Sequence, residues 1–520
     1  MIRLKIDKIE VQVEKGTTVL GAARKAGIEI PVMCYYEGVE HFSSCMICMV
    51  KERDTARLIP ACSVKAAPGM DLITTDKEIL EARQTALELL LSEHVGDCEA
   101  PCRIACPAHM DIPRMNRLLA KGEFEKALQV VKKAIALPAV LGRICTAPCE
   151  GACHRKSIDE PVAICLLKRF AADYNLKKID SYLPPVERDS GFKVAIIGAG
   201  AAGLSAAYFL QQQGHHCTIF EKEKLPGGEI RENVPEEQLP WKIYDQEIEL
   251  IRLLGVLIQT ETLIDETAFT RMLIDFDAIV IACGNVENDM TQWGVEISGK
   301  KVNVDKKSFQ TNIDKVFAIG NVINPTKLAI RVVAQGKEVA FSVQQFLKGE
   351  KVTGEPEIFN SRFGKLFPAE FGEYLKESVP YKQIQLSQGI SEGFTPEEVK
   401  QEAARCLHCD CRDAVDCKLR KYAEEYNASQ KRFPNVDRKK IRKIIQHDQV
   451  IYEPAKCIKC GICVRLTRRH QEKFGFTFIG RGFDVEIGVP FNEELKYALT
   501  DKVNEVAKAC PTGAISLKLI

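Results

Sequence analysis

Cysteines are the residues of this sequence with the clearest potential for chemistry. The chain has 520 residues and 21 cysteines, and all of the cysteines except Cys217 and Cys283 fall into spaced groups. In a reducing cytosol, grouped cysteines serve as metal ligands or redox centres rather than as disulfides. Cys217 and Cys283 lie in apolar, strand-like runs, where we expect them to be small buried hydrophobes.

The first group follows a predicted strand hairpin at residues 2–14 and a short helical stretch, TVLGAARKAG. A loop with three cysteines, closed by a later fourth, is how a small ferredoxin fold holds a 2Fe-2S cluster with four thiolates. Core cysteines or a zinc site are the alternatives, but zinc sites favour two paired C-x2-C arms. The predicted ligands are Cys34, Cys45, Cys48 and Cys62.

The second group places seven cysteines and one histidine on either side of a helical stretch. Eight ligands are the number that two 4Fe-4S clusters require. A lone histidine is more often a packed residue than a ligand, so both readings of His94 stay open. The group consists of His94, Cys98, Cys102, Cys106, Cys145, Cys149, Cys153 and Cys165.

Two further groups lie toward the C-terminus. A capped helix, TPEEVKQEAAR, leads into Cys406, Cys409, Cys411 and Cys417, which predict a 4Fe-4S cluster, although four-thiolate zinc would tolerate the spacing. Next, C-x2-C-x2-C with a remote Cys-Pro is the half-motif of bacterial ferredoxins and predicts one 4Fe-4S cluster, since Thr467 stands where a second cluster would need a cysteine. Its ligands are Cys457, Cys460, Cys463 and Cys510.

A glycine-rich turn predicts a dinucleotide site. The segment KVAIIGAGAAGLSAAYFLQQQGHHCTIFEKE contains a strand, the pattern Gly198-x-Gly200-x-x-Gly203, a helix, and a second strand that ends at Glu221. Such glycines let the backbone approach a pyrophosphate at the helix N-terminus, and the acid binds a ribose hydroxyl.

The cysteine motifs resemble those of two redox families. The first group resembles the N-terminal domain of the large electron-input subunit of complex I and its hydrogenase relatives. The CP-x4-IP and CxxxCxxxC runs that follow resemble the iron–sulfur domain of the glutamate synthase small subunit and of dihydropyrimidine dehydrogenase. That second resemblance implies two ligand sets: His94, Cys98, Cys102 and Cys153, and Cys106, Cys145, Cys149 and Cys165. The chain departs from these relatives at His94, which stands near the place of a leading cysteine, and at Cys165, where they have none.

The runs LPGGEIRENVPEEQ and VFAIGN also resemble the glutamate synthase small subunit, which implies FAD. In that family an NADPH domain is inserted within the FAD domain. Here Gly198 and Gly320 are only 122 positions apart (320 − 198) and no second fingerprint follows a strand, so we expect no pyridine-nucleotide domain. Asn321 replaces the family's acid. The implied cofactor-binding residues are Gly198, Gly200, Ala202, Gly203, Glu221, Lys222, Gly228, Arg231, Gly284, Gly320 and Asn321.

Composition excludes several functions. The 72 Lys and Arg balance 71 Asp and Glu, so no excess positive charge favours nucleic acid or an anionic membrane. Apolar residues (46%) and charged residues (28%) are typical of a globular protein, and no 18-residue apolar run occurs. The N-terminus lacks a secretion signal, so we expect a cytoplasmic protein. No Ser/His/Asp or paired-carboxylate pattern predicts acid–base catalysis.

The expected fold is multidomain, combining α/β and α+β units. We predict a β-grasp ferredoxin domain, a helical domain with two clusters, a doubly wound Rossmann-type FAD domain, a connecting extension, a helical cysteine segment and a ferredoxin-like module. Their ranges are 1–78, 79–188, 189–350, 351–395, 396–445 and 446–520.

Together these features predict an electron-transfer subunit of a multi-subunit cytoplasmic oxidoreductase from an anaerobe. The expected partners are an NADH-oxidising flavoprotein and a hydrogenase, a formate dehydrogenase-like enzyme or a ferredoxin. Electron bifurcation at the FAD is a further hypothesis. The alternatives are a self-sufficient NAD(P)H:ferredoxin oxidoreductase or glutamate synthase-type reductase, and a metal-binding scaffold in which several groups hold zinc.

Overall fold

The computed structural model describes residues 1–40, 42–285, 288–433 and 438–518. Its contacts divide the chain into two units, and both are discontinuous in sequence. Unit 1 comprises residues 1–99, 358–376 and 409–520, and unit 2 comprises residues 100–357 and 377–408.

This division differs from the linear domains predicted above. The predicted helical domain starts in unit 1 and continues in unit 2, and residues 351–395 are shared between the units rather than forming a connecting extension. Side-chain contacts explain why the extension is not a linker. Ser361 donates to the carbonyl of Gly96 within unit 1 (2.7 Å), and Ser378 accepts from Arg155 within unit 2 (2.8 Å).

Unit 1 begins with a mixed five-stranded sheet. Ile2 pairs with Val13 and Ile6 with Ile9, which confirms the predicted hairpin, and Leu4 and Ile6 point into the core. The next helix begins after Thr18, whose hydroxyl accepts the N–H of Gly21. In spatial order the strands are Ile9–Val13, Ile2–Ile6, Asp71–Ile73, Met49–Glu52 and Leu58–Pro60, and the helix is Val19–Lys25.

The remainder of unit 1 is helical with two small antiparallel sheets. Strand Val450–Tyr452 pairs with Ile515–Leu517, and Thr477–Ile479 pairs with Glu486–Gly488. One apolar core joins this part to the loop of the first cysteines. The helices are Lys77–Glu93, Phe371–Leu375, Lys418–Glu425, Ile462–Arg469, Leu495–Ala498 and Val503–Ala509.

Unit 2 contains a helical part that carries several predicted ligands. The predicted capping box is confirmed: Thr395 accepts the N–H of Glu398, whose carboxylate accepts the N–H of Thr395 at 2.7 Å. The helices are Pro101–Ala105, Ile112–Ala120, Phe124–Lys132, Pro138–Ile144, Pro148–Gly151, Ile164–Leu176, Gly389–Glu392 and Pro396–Ala403.

Two buried arginines hold the helical part of unit 2 together. Arg155 makes two 2.7 Å hydrogen bonds to Asp159 and donates to the carbonyl of Arg405. Arg405, fully buried, donates to Glu402 at 2.7 Å and to Asp159 at 3.0 Å. The segment 377–408 is therefore fixed by charge-assisted hydrogen bonds to the chain between Cys153 and Cys165.

The second part of unit 2 is built on a parallel five-stranded sheet, so the chain is a mixed α/β protein with a Rossmann-like domain. The strands in spatial order are Val316–Ala318, Ala278–Ile281, Lys193–Ile197, His216–Phe220 and Leu257–Gln259. The helices are Ala201–Gln212, Glu229–Asn233, Trp241–Leu253, Glu266–Asp275 and Ala329–Leu347, with a small hairpin at Ile297–Ser298 and Lys301–Val302.

Across the described residues, no helix has both the length and the apolar character needed to cross a bilayer.

Candidate functional site

The four N-terminal thiols lie together in unit 1. Hydrogen bonds from Cys45 and Cys62 lower the pKa of Cys34, and a hydrogen bond from Cys62 lowers the pKa of Cys48. The hydroxyl of Ser43 lies 3.4 Å from the sulfur of Cys62. All four cysteines are buried. Four thiols that converge from one loop and from the turn after strand Leu58–Pro60 fit the donor set of a 2Fe-2S cluster.

The four C-terminal thiols also converge in unit 1. They line a small, partly open cavity that is bordered by Ile462 and Ile487. Burial, followed by the charges of Cys460, Cys457 and Cys510, raises the pKa of Cys463. The amide of Ile515 lies 3.5 Å from the sulfur of Cys510. A cavity walled by four thiols fits a cluster with thiolate ligands.

A third set of thiols surrounds a lysine in unit 2. The Nζ of Lys168 lies 3.9 Å from the sulfur of Cys165. The pKa of Lys168 lies above its ordinary value. Burial lowers this pKa, but the combined effect of nearby negative charges outweighs burial; these charges are those of Cys165, Cys145, Cys149 and Cys106. A hydrogen bond from Cys145 lowers the pKa of Cys165, while a hydrogen bond to Cys149 and burial bring it to about 11. The set therefore includes Cys165 and a cation, Lys168.

The other predicted ligands fall on both sides of the boundary between the two units. His94 and Cys98 belong to unit 1, whereas Cys102 and Cys153 belong to unit 2. The carbonyl of Cys98 instead accepts the amide N–H of Cys411 at 3.1 Å. Burial raises the pKa of Cys417 to about 12, with further contributions from the charges of Cys411 and Cys98. Within unit 1, the chain therefore brings Cys98 close to Cys411, a contact that residue spacing does not encode.

The group Cys406–Cys417 is also divided. Cys406 lies in unit 2, where Asn116 and His408 hydrogen-bond its thiol, whereas Cys409, Cys411 and Cys417 lie in unit 1. In the described ranges, no group of three or more His, Cys, Asp or Glu side chains is arranged to hold a single metal ion.

The glycine fingerprint lies where the strand order of the parallel sheet reverses. The strand Lys193–Ile197 runs between two neighbours, and Gly198 follows it with φ +106. A Cβ on Gly198 would lie 2.6 Å from the carbonyl of Ala282, which follows the strand on the other side of this switch point. Ligands of open α/β sheets bind in the crevice at this position.

The helix after the fingerprint presents its first turn to open space. Gly200 is the N-cap residue, and a Cβ there would meet no atom within 4 Å, whereas a Cβ on Gly203 would lie 2.0 Å from the carbonyl of Gly198. The loop carrying Gly228 closes the other side, since the amide of Gly227 donates to the carbonyl of Ala199 at 2.9 Å. Backbone N–H groups at such a helix terminus bind phosphate.

Polar side chains order the rim of this crevice. Glu221, buried at its strand end, accepts from the amides of Ala199 (2.6 Å) and Glu223 (2.9 Å), and the exposed Lys222 follows it. Arg231 donates to the carbonyl of Pro226 and pairs with Asp245, so the arginine shapes the loop.

The second predicted motif also reaches the fingerprint helix. A Cβ on Gly320 would lie 3.2 Å from the Cβ of Ala202, and Asn321 donates to Glu229 at 2.8 Å. Gly284 ends the neighbouring strand with φ +84. Cys217 is buried as expected, but Cys283 is half-exposed because it stands where its strand opens into the crevice.

Sequence reasoning missed Lys168, Ser361 and Glu247. Lys168 follows Cys165 by one helical turn, a spacing that places both on one face and could have identified it. Glu247 accepts the amides of Ala139 and Val140 at the start of the helix that leads to Cys145. The sequence around Glu247 and Ser361 does not reveal their roles, because their hydrogen-bond partners are 108 and 265 residues away.

Three stretches match known domain families. Residues 1–77 match the 2Fe-2S iron–sulfur cluster binding domain, residues 81–179 match dihydropyrimidine dehydrogenase domain II with a 4Fe-4S cluster, and residues 196–246 match an NAD(P)-binding Rossmann-like domain.

The match to one curated relative spans enough of that relative's length to show the family of this chain. The chain is 31% identical over 301 residues to the NAD-dependent dihydropyrimidine dehydrogenase subunit PreT of Salmonella typhimurium, covering 57% of this chain and 69% of the relative. The chain belongs to the PreT family. As a PreT relative, it is an oxidoreductase subunit with iron–sulfur and dinucleotide-binding domains.

Two larger relatives also match part of this chain. The identity is 37% over 257 residues with the NADP(+)-dependent formate dehydrogenase subunit beta of Moorella thermoacetica, and 34% over 230 residues with the NADPH-Fe(3+) oxidoreductase subunit beta of Geobacter sulfurreducens. Each match covers 43% of this PreT-family chain, but only 36% and 34% of the respective relative. The chain thus spans about a third of these two curated relatives.

Proposed function

We propose that this chain is an FAD- and iron–sulfur-containing electron-transfer subunit of a multi-subunit oxidoreductase. It relays electrons between an NADH-oxidising flavoprotein and a terminal redox enzyme or ferredoxin. The observation that carries this proposal is that Cys34 and Cys45 of the first set share one buried core with Cys460 of the C-terminal set.

The two thiol sets of this core are close enough for the charge of one set to shift a pKa in the other. The charge of Cys34 contributes to the raised pKa of Cys460, after burial and the charge of Cys510. Burial lowers the pKa of Lys418, whereas the charges of Cys460 and Cys45, one from each set, both raise it. Neighbouring buried sets support a relay, because each iron–sulfur cluster accepts one electron at a time.

The dinucleotide crevice of unit 2 supplies the second part of the proposal. We assign FAD to it, held by the amides after Gly200 and by the loops of Gly228 and Gly320, with Glu221 directed to a ribose. FAD, when bound, converts between two-electron and one-electron transfer. The open first turn at Gly200 is where the residues present fit the pyrophosphate.

The names of the relatives support the choice of partners. A formate dehydrogenase subunit and an NADPH-Fe(3+) oxidoreductase subunit, both longer than this chain, each match 43% of it. The present chain would therefore receive or deliver electrons through partner subunits, among which a formate dehydrogenase-like enzyme and a hydrogenase are candidates.

A second candidate is a reductase that binds NAD(P)H at the fingerprint itself. The match of residues 196–246 to an NAD(P)-binding Rossmann-like domain favours this alternative. The two candidates differ in which dinucleotide occupies the same crevice.

Anaerobic purification of the full chain, with spectra recorded after NADH, NADPH or dithionite, separates the candidates. The relay proposal expects bound flavin, iron and acid-labile sulfide, with bleaching by dithionite but by neither nucleotide. Prompt bleaching by a nucleotide, or nucleotide binding without flavin, would favour the second candidate. Near-zero iron and sulfide would overturn both.

A variant pair tests the crevice. Gly200 has extended backbone angles (φ −74, ψ 178) and open space at its Cβ position, so Gly200→Leu should fold and still obstruct the dinucleotide. We expect Gly200→Leu to lose most of its flavin and the matched control Gly200→Ala to keep more. Equal flavin contents in both variants and the wild type would place the cofactor elsewhere.

A further inference from the structure

The loop that follows helix Lys77–Glu93 contacts a part of the chain more than 300 residues away. The amide of Cys411 donates to the carbonyl of Cys98 at 3.1 Å, so the two cysteines are held side by side by the backbone. Cys98 and Cys417 are buried, and Cys411 is half-buried. All three belong to unit 1.

Backbone amides lie close to two sulfurs of this group. The sulfur of Cys98 lies 3.4 Å from the amide of Ser361. The amide of Arg420 lies 3.5 Å from the sulfur of Cys417. Donors directed at sulfur stabilise thiolates and tune the clusters that thiolates bind.

Two of the three thiols lie against the same backbone loop, the one that follows Cys510. The sulfur of Cys417 lies 3.7 Å from the carbonyl oxygen of Pro511. The backbone of the C-terminal cysteine motif approaches the same place, because a Cβ on Gly513 would lie 3.2 Å from the sulfur of Cys411.

A histidine stands at the start of the same loop. The Nδ1 of His94 lies 3.1 Å from the carbonyl oxygen of Lys456, so Nδ1 carries the proton and the lone pair is on Nε2. A histidine that binds a metal usually donates its other ring N–H to a backbone carbonyl in this way. The loop joins this histidine to Cys98 through Gly96, whose carbonyl accepts from Ser361 and whose Cα lies against the Lys456 side chain.

We propose that Cys98, Cys411, Cys417 and His94 hold one 4Fe-4S cluster within unit 1. This ligand set draws on two cysteine groups that the spacing alone kept apart. This assignment adds the ligands of one cluster to the proposed function, and it rests on that function only for the presence of iron–sulfur clusters. The site adjoins the C-terminal thiol set, since the sulfur of Cys417 lies 3.7 Å from the carbonyl of Pro511, which follows Cys510.

The full chain, purified anaerobically and reconstituted with iron and sulfide, provides the test. Cys98→Ala and Cys417→Ala should each lose about four irons and the same low-temperature EPR signal. The double variant should lose no more than either single variant, because one cluster cannot be lost twice. Additive iron loss in the double variant would overturn the proposal.

Two controls keep this test interpretable. Cys217→Ala alters a buried cysteine on a strand of unit 2 and should retain all iron. Flavin content, which reports on unit 2, should stay unchanged in every variant. If the wild type itself holds no iron or sulfide, the proposed function fails. If it holds a full complement while the losses add, only this ligand assignment fails.

His94 is tested without removing the cluster. His94→Cys should keep the iron content while lowering the midpoint potential of the signal that Cys417→Ala removes, because an anionic thiolate replaces a neutral imidazole. Cys409→Ala should leave that signal in place. An unchanged potential in His94→Cys, or loss of the same signal in Cys409→Ala, would overturn the assignment of His94 as the fourth ligand.

Discussion

The C-terminal thiol set of unit 1 and the thiol set around Lys168 in unit 2 are both candidate cluster sites, but the residues that surround them differ. In unit 1 the sulfurs of Cys457, Cys460, Cys463 and Cys510 border a cavity with apolar neighbours. Burial, followed by the charges of neighbouring thiols, raises the pKa of Cys457, Cys460 and Cys463. In unit 2 a fully buried ammonium group lies among the sulfurs. The comparison indicates that buried charge, more than ligand type, distinguishes these two candidate centres.

The same contrast extends to what stabilises each unit. Around the thiols of unit 1 lies a continuous apolar core that includes Leu466 and Tyr452. Around those of unit 2, buried ionic groups such as Arg155, Arg405 and Glu247 fix the helices. An apolar core tolerates changes of pH, whereas a buried ionic network depends on every partner remaining in place.

The largest expected effect comes from breaking that network. Arg405→Met leaves the buried carboxylate of Glu402 and its neighbour Asp159 without their shared cation, which should cost about 3–5 kcal/mol of stability in unit 2. Hydrogen-exchange mass spectrometry measures this as faster opening of segment 377–408. Arg271→Met, which removes an exposed pair with Asp275, is the control and should change stability by less than about 1 kcal/mol. Equal effects of the two variants would contradict the network's role.

The matching test in unit 1 is a cavity. Leu466 is fully buried in the core that contains Cys34 and Cys460, so Leu466→Ala should destabilise unit 1 by about 3 kcal/mol. Exchange should accelerate in unit 1 and remain unchanged in the helical part of unit 2. Leu89→Ala, at a site 52% exposed, is the control with little expected effect. A parallel acceleration in both units would show that they do not open separately.

Unit 2 should also respond to pH through Glu247. Burial raises the pKa of this carboxyl to about 7, although the amides of Ala139 and Val140 and the charge of Lys132 oppose the shift. The folded protein therefore binds this proton more tightly than the unfolded chain. The resulting stabilisation is complete below the ordinary pKa of 4.5 and is lost as pH rises toward 7, a difference of about 3 kcal/mol.

The melting temperature of unit 2, measured by scanning calorimetry between pH 5 and 7.5, reports this loss. Glu247→Gln mimics the protonated form and should flatten the pH dependence. An identical slope in the variant would assign the dependence to other groups.

The smallest expected effect concerns the Lys168 set directly. Reduction of a cluster adds negative charge, which a buried cation favours, so Lys168→Met should lower one midpoint potential by about 60 mV, a tenfold change in the equilibrium. EPR-monitored redox titration reports this shift. Lys177→Met, at the exposed end of the same helix, should leave every potential in place. A shift in neither variant would remove the electrostatic distinction between the two sets.

Local patterns account for what the sequence predicted correctly. The alternation of residues 2–14 produced the hairpin, Thr395 and Glu398 produced the capping box, and the glycine fingerprint lies between its strand and helix as expected. The proximity of Cys98 to Cys411 could not be predicted, because the two residues are 313 positions apart (411 − 98) and no periodicity links them. The two discontinuous units were missed for the same reason.

The discontinuity of unit 1 imposes an order of assembly during synthesis. Every residue of unit 2 has left the ribosome before residues 409–520 arrive, so unit 2 can fold first. The sheet of residues 2–73 has a core of its own, whereas Leu87 and Leu91 of helix Lys77–Glu93 must wait for the partners that they meet after residue 409. Closing so long a loop is slow and leaves apolar surface and unligated thiols exposed in the meantime. Cell extracts should therefore contain a nascent form with a structured unit 2 and an unfinished unit 1, and this form would be the most vulnerable to oxygen and to proteases.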